Sequence, residues 1–221
     1  HPEAPQWTRL VRNRVRAWFH DRGGDWYVDD PYPHNRPKPI PVIGPTEPNF
    51  GIDGGYKESI GYMNYGTRYA CFFADTLRRM TGENLFPHVP EKLLDHMAWS
   101  ILAWPEDGEV RSAVIDFGDE GGTTSWYGDL LADLMKNRQD GLAAWLYRRT
   151  TPTPNGPRSI LWYDDSLNDA PPEPAIPMGV FRTIGQVIMR RGWSPDAPLA
   201  AYGRMAERSP GKDSVTGHWE L

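Results

Sequence analysis

Within DGGYKESIGYMNYGTRY, residues 53 to 69, two phenols, an amide and a guanidinium crowd into the first turns of an expected helix: Tyr62, Asn64, Tyr65 and Arg68. An asparagine amide donates N–H groups to a carboxylate oxygen. Arg68 lies one helical turn beyond Asn64 and shares its face. Such a cluster either lines a pocket that grips a ligand or opens a well-capped structural helix. In the second case Asn64 is a solvated helix residue and Arg68 a surface charge. Glu58 then complements the dipole and free N–H groups of the first turn.

Other chemistry-bearing residues are scattered. His218 and Glu220, in TGHWEL, are a ligand pair suited to zinc. Two ligands do not make a site, and the competing reading of His218 is simple exposure. Cys71 sits in an apolar helical run and reads as a small buried hydrophobe. As the single cysteine it admits no disulfide framework. His88 and His96 bracket a helix start and read as capping or surface groups. Arg190 and Arg191 alternate on an expected strand, so one faces in and one out.

These residues need elements to position them. An amphipathic helix is predicted over QWTRLVRNRVRAWFHDR, with Leu10, Val11, Val15, Trp18 and Phe19 near one stripe. The proline-crowded run DDPYPHNRPKPIPVIGPTEPNFGIDGG comes next as an irregular loop and a candidate cleft edge. A second helix is predicted from Tyr56 to Met80, carrying Tyr69, Phe72, Phe73, Leu77 and Met80 at helical spacing and stopped by Gly82. A third is predicted over Lys92 to Trp104, then a short β-like run from Val110 to Phe117. Helical pattern returns in SWYGDLLADLMKN and GLAAWLYRR. ILWYDDSLNDAPPEPAIP reads as a proline-rich linker. GVFRTIGQVIMRRGW and APLAAYG alternate as strands do. The expected organisation is a helical domain over 1–157, a linker over 158–177 and the start of a β domain over 178–221.

Composition sets the outer limits. A chain with 39% hydrophobic and 24% charged residues can bury a sizeable core. The net charge of -5 argues against nucleic acid, whose phosphates need a basic surface. A local cluster of arginines can still override that sign toward an acidic partner. No apolar run is long enough to span a membrane. The chain opens HPEAPQW and stops at TGHWEL, which reads as a segment of a longer protein.

With both halves in place, the chain resembles heparinase II/III-type polysaccharide lyases. Three stretches carry the resemblance: DGGYKESIGYMNYGTRY, VIDFGDEG, and VFRTIGQVIMRRGWSPDAPLAAYG together with TGHWEL. The resemblance implies a mainly α fold, an incomplete α/α toroid followed by the first strands of an antiparallel β-sandwich. It implies β-elimination on a uronic-acid polymer, heparan-, heparin- or alginate-like. Preorganised donors would stabilise charge growing on the uronate carboxylate, and a phenol with a lowered pKa would exchange the protons. Asn64 and Tyr65 match the family's carboxylate-binding Asn-His pair, with a phenol in place of the imidazole. Arg68 would supply the missing charge, with Tyr62 and Glu58 beside it. The family's catalytic tyrosine would fall near Phe117, so Tyr127, the first tyrosine downstream, is the expected acid/base. His218 resembles a histidine that holds a structural zinc ion. The implied partner is an acidic polysaccharide, and the implied compartment is periplasmic or secreted.

Two alternatives stand beside this reading. Phe117, and Thr216 at a position where the family often has a second histidine, suit a catalytically inactive glycan-binding relative. An α/α-toroid glycoside hydrolase would need two opposed carboxylates, Asp53 with Asp116 or Asp119.

Overall fold

A computed structural model of the chain describes residues 4–20, 50, 51, 53–56, 60–103, 113–115, 127–150, 156–172, 178–194, 199–204 and 218–220. Helices dominate these residues, and antiparallel strands complete them.

The first helix, α1 (Ala4–His20), turns Val15 and Phe19 into the core and leaves Val11 exposed. Arg12 and Arg16 reach Glu83 at 3.4 and 2.9 Å, tying α1 to the chain just past the second helix.

That second helix, α2 (Ile60–Thr81), begins later than the pattern predicts, because Tyr56 is held in an isolated bridge to Phe50. The turn between them depends on Gly54. Its φ of +84° is left-handed, and a Cβ there would lie 2.0 Å from the carbonyl oxygen of Lys92. The buried face of α2 runs through Ile60, Met63, Asn64, Thr67, Ala70, Cys71, Ala74 and Leu77. This corrects the expected face, of which only Leu77 is buried; Tyr69 and Met80 are exposed at 52% and 79%. The reason is packing. Ala70, Cys71 and Ala74 are small enough to let α4 approach closely, so Tyr65 and Tyr69 turn outward while Phe73 packs against the core from the side. Gly82 ends the helix as predicted, at φ +80° with its N–H on the carbonyl of Arg78 at 2.9 Å.

The third helix is shorter than predicted. α3 (Leu93–Trp99) gives way at Ser100 to strand β1 (Ile101–Ala103), which pairs with β2 (Ala113–Val114). A strand pairing takes over from the helix: the β-branched pair Val114 and Ile115 offers a ladder, with Ile115 N–H donating to the Ser100 carbonyl at 2.8 Å.

α4 (Gly128–Arg138) and α5 (Gly141–Thr150) form a tight hairpin. Gln139 takes the left-handed conformation that closes α4, at φ 54°. The Asp140 carboxylate then accepts from the backbone N–H groups of Leu142 and Ala143, both at 3.0 Å, and caps α5.

The expected linker is largely folded. Pro157, at the first position of α6 (Pro157–Trp162), suits a helix start. Ser159 donates to Asp129 of α4 at 3.2 Å. Trp162, Tyr163 and Leu167 pack against the core. Arg148 of α5 gathers the chain just past α6: it donates to the carbonyls of Leu167, Asp165 and Asp164 at 2.7, 3.3 and 3.4 Å, and pairs with Asp169.

Strands β3 (Met178–Phe181), β4 (Gln186–Arg190), β5 (Leu199–Arg204) and β6 (His218–Glu220) make one antiparallel sheet in sequence order. Its inner face, including Phe181, Gln186, Ile188 and Arg190, is buried, while Met178, Val180 and Met189 point outward. Gly179 lets the Trp99 ring lie where a Cβ would stand 2.7 Å away. Trp193 wedges between Trp99 and Trp145, at centroid distances of 4.8 and 5.5 Å. The sheet is thereby seated on the helical body.

Candidate functional site

The outward aromatics of α2 continue onto α6 as one ridge. Tyr65 meets Tyr69 edge-on at 5.3 Å, Tyr69 meets Phe72 at 5.9 Å, and Phe72 meets Trp162 at 5.6 Å. Side chains three and four residues apart on a helix are neighbours, which is why 65, 69 and 72 align. Two guanidinium groups lie on these rings. Arg68 stands 5.3 and 4.9 Å from the Tyr65 and Tyr69 centroids and donates to the Tyr69 hydroxyl at 3.3 Å. Arg158 stands 3.5 Å from Phe72 and 5.7 Å from Trp162. Neither has a carboxylate partner among the described residues.

This arrangement has a definite chemistry. Ring faces favour the C–H surface of a sugar as well as cations. A guanidinium pre-positioned on a ring and free of carboxylates offers forked donors to an anion.

The structure separates the residues that the sequence singled out. Tyr65 is 51% exposed on the ridge, and Arg68 lies beside it, half-buried. Asn64 is fully buried, about 100° around the helix from Tyr65, and Tyr62 packs against the core. Tyr127 is enclosed in the core just before α4 and is not one of the exposed ridge residues. Glu58, Phe117, Asp116, Asp119 and Thr216 lie outside the described residues. His218 stands in β6 in register with Arg204, and Glu220 in register with Tyr202. No group of three His, Cys, Asp or Glu among the described residues could hold a metal ion.

Two polar centres escaped the sequence reading. His96, expected at a cap or on the surface, is buried between α3 and the sheet. Its Nδ1 accepts the Tyr56 backbone N–H at 3.2 Å, so the ring proton sits on Nε2 and is donated to Gln186 Oε1. The second centre joins α2 to α4. Asp75 accepts from Arg78 at 3.3 Å and Arg79 at 2.8 Å. Asn137 donates to Asp133 and accepts from Arg78. Burial first, then the Asp75 charge, pushes the Asp133 carboxyl up to about 7. Burial also raises the Cys71 thiol, with Asp133 adding to it, so Cys71 is the inert hydrophobe its setting predicts. A spacing of four between Arg79 and Asp75 was the available signal for the pair. Arg190 is the inward arginine of its strand, donating to the Ile101 carbonyl with its guanidinium 5.1 Å from the Trp193 ring centroid.

No family model matches the chain, and no solved structure matches it significantly. Short stretches are similar to curated phosphopentomutases. The enzyme of Desulfitobacterium hafniense is 54% identical over 39 residues, 17% of this chain and 10% of the relative. That of Anaeromyxobacter sp. strain K is 59% identical over 39 residues, with the same shares. That of Dictyoglomus thermophilum is 73% identical over 26 residues, 12% of this chain and 7% of the relative. The chain thus spans a tenth or less of the length of these relatives. These findings correct the expected resemblance: the shared segments are those of phosphopentomutases, not of heparinase II/III-type lyases, and β-elimination on a uronate polymer falls with it. The glycan-binding and hydrolase alternatives gain no support either. Glycines, aromatics and β-branched residues at a helix start and along strands had carried the resemblance, and local structure alone accounts for such types there.

Proposed function

We propose that the chain is part of a protein that acts on a phosphorylated sugar, in the class that the name phosphopentomutase denotes. The observation that carries the proposal is the segment shared with those enzymes at 54 to 73% identity. The ridge supports it independently. Arg68 offers an anion-binding fork, and Tyr65 and Tyr69 offer ring faces for an uncharged sugar surface.

The finer architecture belongs to the same proposal. The α4–α5 hairpin, closed by Gln139 and Asp140, suits part of an α/α array such as a toroid. A sheet with one buried face and Met178, Val180 and Met189 on the other suits one layer of a sandwich.

The test is isothermal titration of ribose 5-phosphate and of ribose into this chain, alongside phosphorus NMR of the full-length protein with a pentose phosphate. Binding of the phosphate ester but not of the free sugar, with relocation of the phosphoryl group by the full-length protein, is the expected result. Equal binding of the two sugars, or no relocation, refutes the proposal.

A further inference from the structure

Arg190 is the only arginine buried among the described residues, 3% exposed on the inner face of β4. Its guanidinium donates to the Ile101 carbonyl, while its Nε is enclosed with no acceptor. No carboxylate among the described residues pairs with it. Arg78 and Arg79 have Asp75, Arg138 has Asp140 and Arg148 has Asp169. Burial alone draws the pKa of Arg190 down to about 10, so the group is still a cation at neutral pH.

A charge enclosed in protein is costly unless it is paired and hydrogen-bonded. The Trp193 ring, its centroid 5.1 Å from the guanidinium, offsets part of that cost. A ring face balances no charge, however, and the Nε–H still lacks an acceptor.

A second unpartnered group lies beside it. Ser100 immediately precedes Ile101, and its hydroxyl is fully buried without a hydrogen-bond partner. The Ser100 N–H is already bound to the carbonyls of His96 and Met97, and its carbonyl accepts from Ile115. The free hydroxyl and the free Nε–H thus belong to the one seam where α3 and β1 meet the inner face of β4. Both can donate, one of them carries positive charge, and what completes them is an anion.

We propose that this seam binds a small monovalent inorganic anion, with chloride as the type, held by the Arg190 Nε–H and the Ser100 hydroxyl. One negative charge balances one guanidinium. Donors that are 3% and 0% exposed leave their ligand as enclosed as they are, which favours a bare halide over an organic acid. The ion would join the sheet to the helical body, and the site shares no residue with the ridge of α2 and α6.

The experiment follows thermal melts of the chain by circular dichroism as chloride replaces gluconate at constant ionic strength, with chlorine NMR linewidths measured beside them. The midpoint should rise by about 5–10 °C once chloride stands at roughly a hundredfold excess over its Kd. The chain should broaden the chlorine line until bromide displaces the ion. Arg190→Met, which keeps the bulk and removes the charge, should abolish both effects. Ser100→Ala, which removes a single oxygen, should weaken chloride binding roughly threefold to tenfold. Equal midpoints in chloride and gluconate for the unaltered chain overturn the proposal without recourse to any variant. Broadening that persists in Arg190→Met also overturns it, by placing the ion elsewhere on the chain. Unchanged affinity in Ser100→Ala overturns the two-donor site even if Arg190→Met fails to fold.

Discussion

Helix α2 carries arginines with two different fates. Toward its end, Arg78 and Arg79 close on Asp75, a carboxylate only 5% exposed, and Arg78 reaches on to Asn137 of α4. Nearer its start, Arg68 lies on two tyrosine rings with no carboxylate partner among the described residues. The first arrangement uses its charge to join two helices. The second leaves its charge on ring faces at the surface of the helix. Partner chemistry, not residue type, decides which arginine joins two helices and which rests on aromatic rings.

The largest effect should come from removing the carboxylate that the structural pair depends on. Asp75→Ala leaves Arg78 without its partner beside a buried interface and should cost about 2–3 kcal/mol, read by urea unfolding. A loss under about 0.5 kcal/mol would mean that Arg78 and Arg79 are as detached as Arg68.

The pH dependence of the same junction comes next. Asp133 titrates at about 7 in the folded chain, above the usual carboxyl value, because burial and Asp75 disfavour its charge. A folded pKa above the unfolded one means that the folded state binds more protons. Its contribution is therefore fully present below about pH 4 and is lost as pH rises through about 7. Thermal melts between pH 5 and 8 should show the midpoint falling as pH rises, and Asp133→Asn should flatten that slope. An unchanged slope in the variant would show that Asp133 is already ionised across this range.

The smallest effect belongs to the ridge. Arg68→Gln removes two exposed ring contacts and should change stability by less than about 1 kcal/mol, while weakening ribose 5-phosphate binding about tenfold or more. A large loss of stability with unchanged binding would reverse the comparison, making Arg68 structural.

The sequence made the helices legible wherever period and punctuation agreed. Gly82 stops α2, and α4 and α5 lie where their apolar spacing puts them. It misjudged which face of α2 turns inward. Aromatic residues bring the largest apolar area, but Ala70, Cys71 and Ala74 permit the closest helix approach, and closeness won. That error hid the ridge, whose Phe72 was counted as core and whose Trp162 stood in a supposed linker. Within the stretch read as a linker, Arg148 supplies donors to the carbonyls of Asp164, Asp165 and Leu167, contacts that no local pattern announces. His96 was unreadable for a related reason. Its partners, Tyr56 and Gln186, are 40 and 90 residues away. Of the expected ligand cluster, Tyr65 and Arg68 share the exposed ridge, whereas Asn64, one residue from Tyr65, turns about 100° away into the core.

The stacking of Trp193 between Trp99 and Trp145 has an optical side. One indole comes from just past β4, one from α3 and one from α5, and both pairs meet edge to face at 4.8 and 5.5 Å. Chromophores this close and this steeply inclined couple their electronic transitions, giving paired circular-dichroism bands of opposite sign. Those bands exist only while the sheet sits on the helices. The chain therefore carries an intrinsic signal for the joining of its two layers, readable without a label.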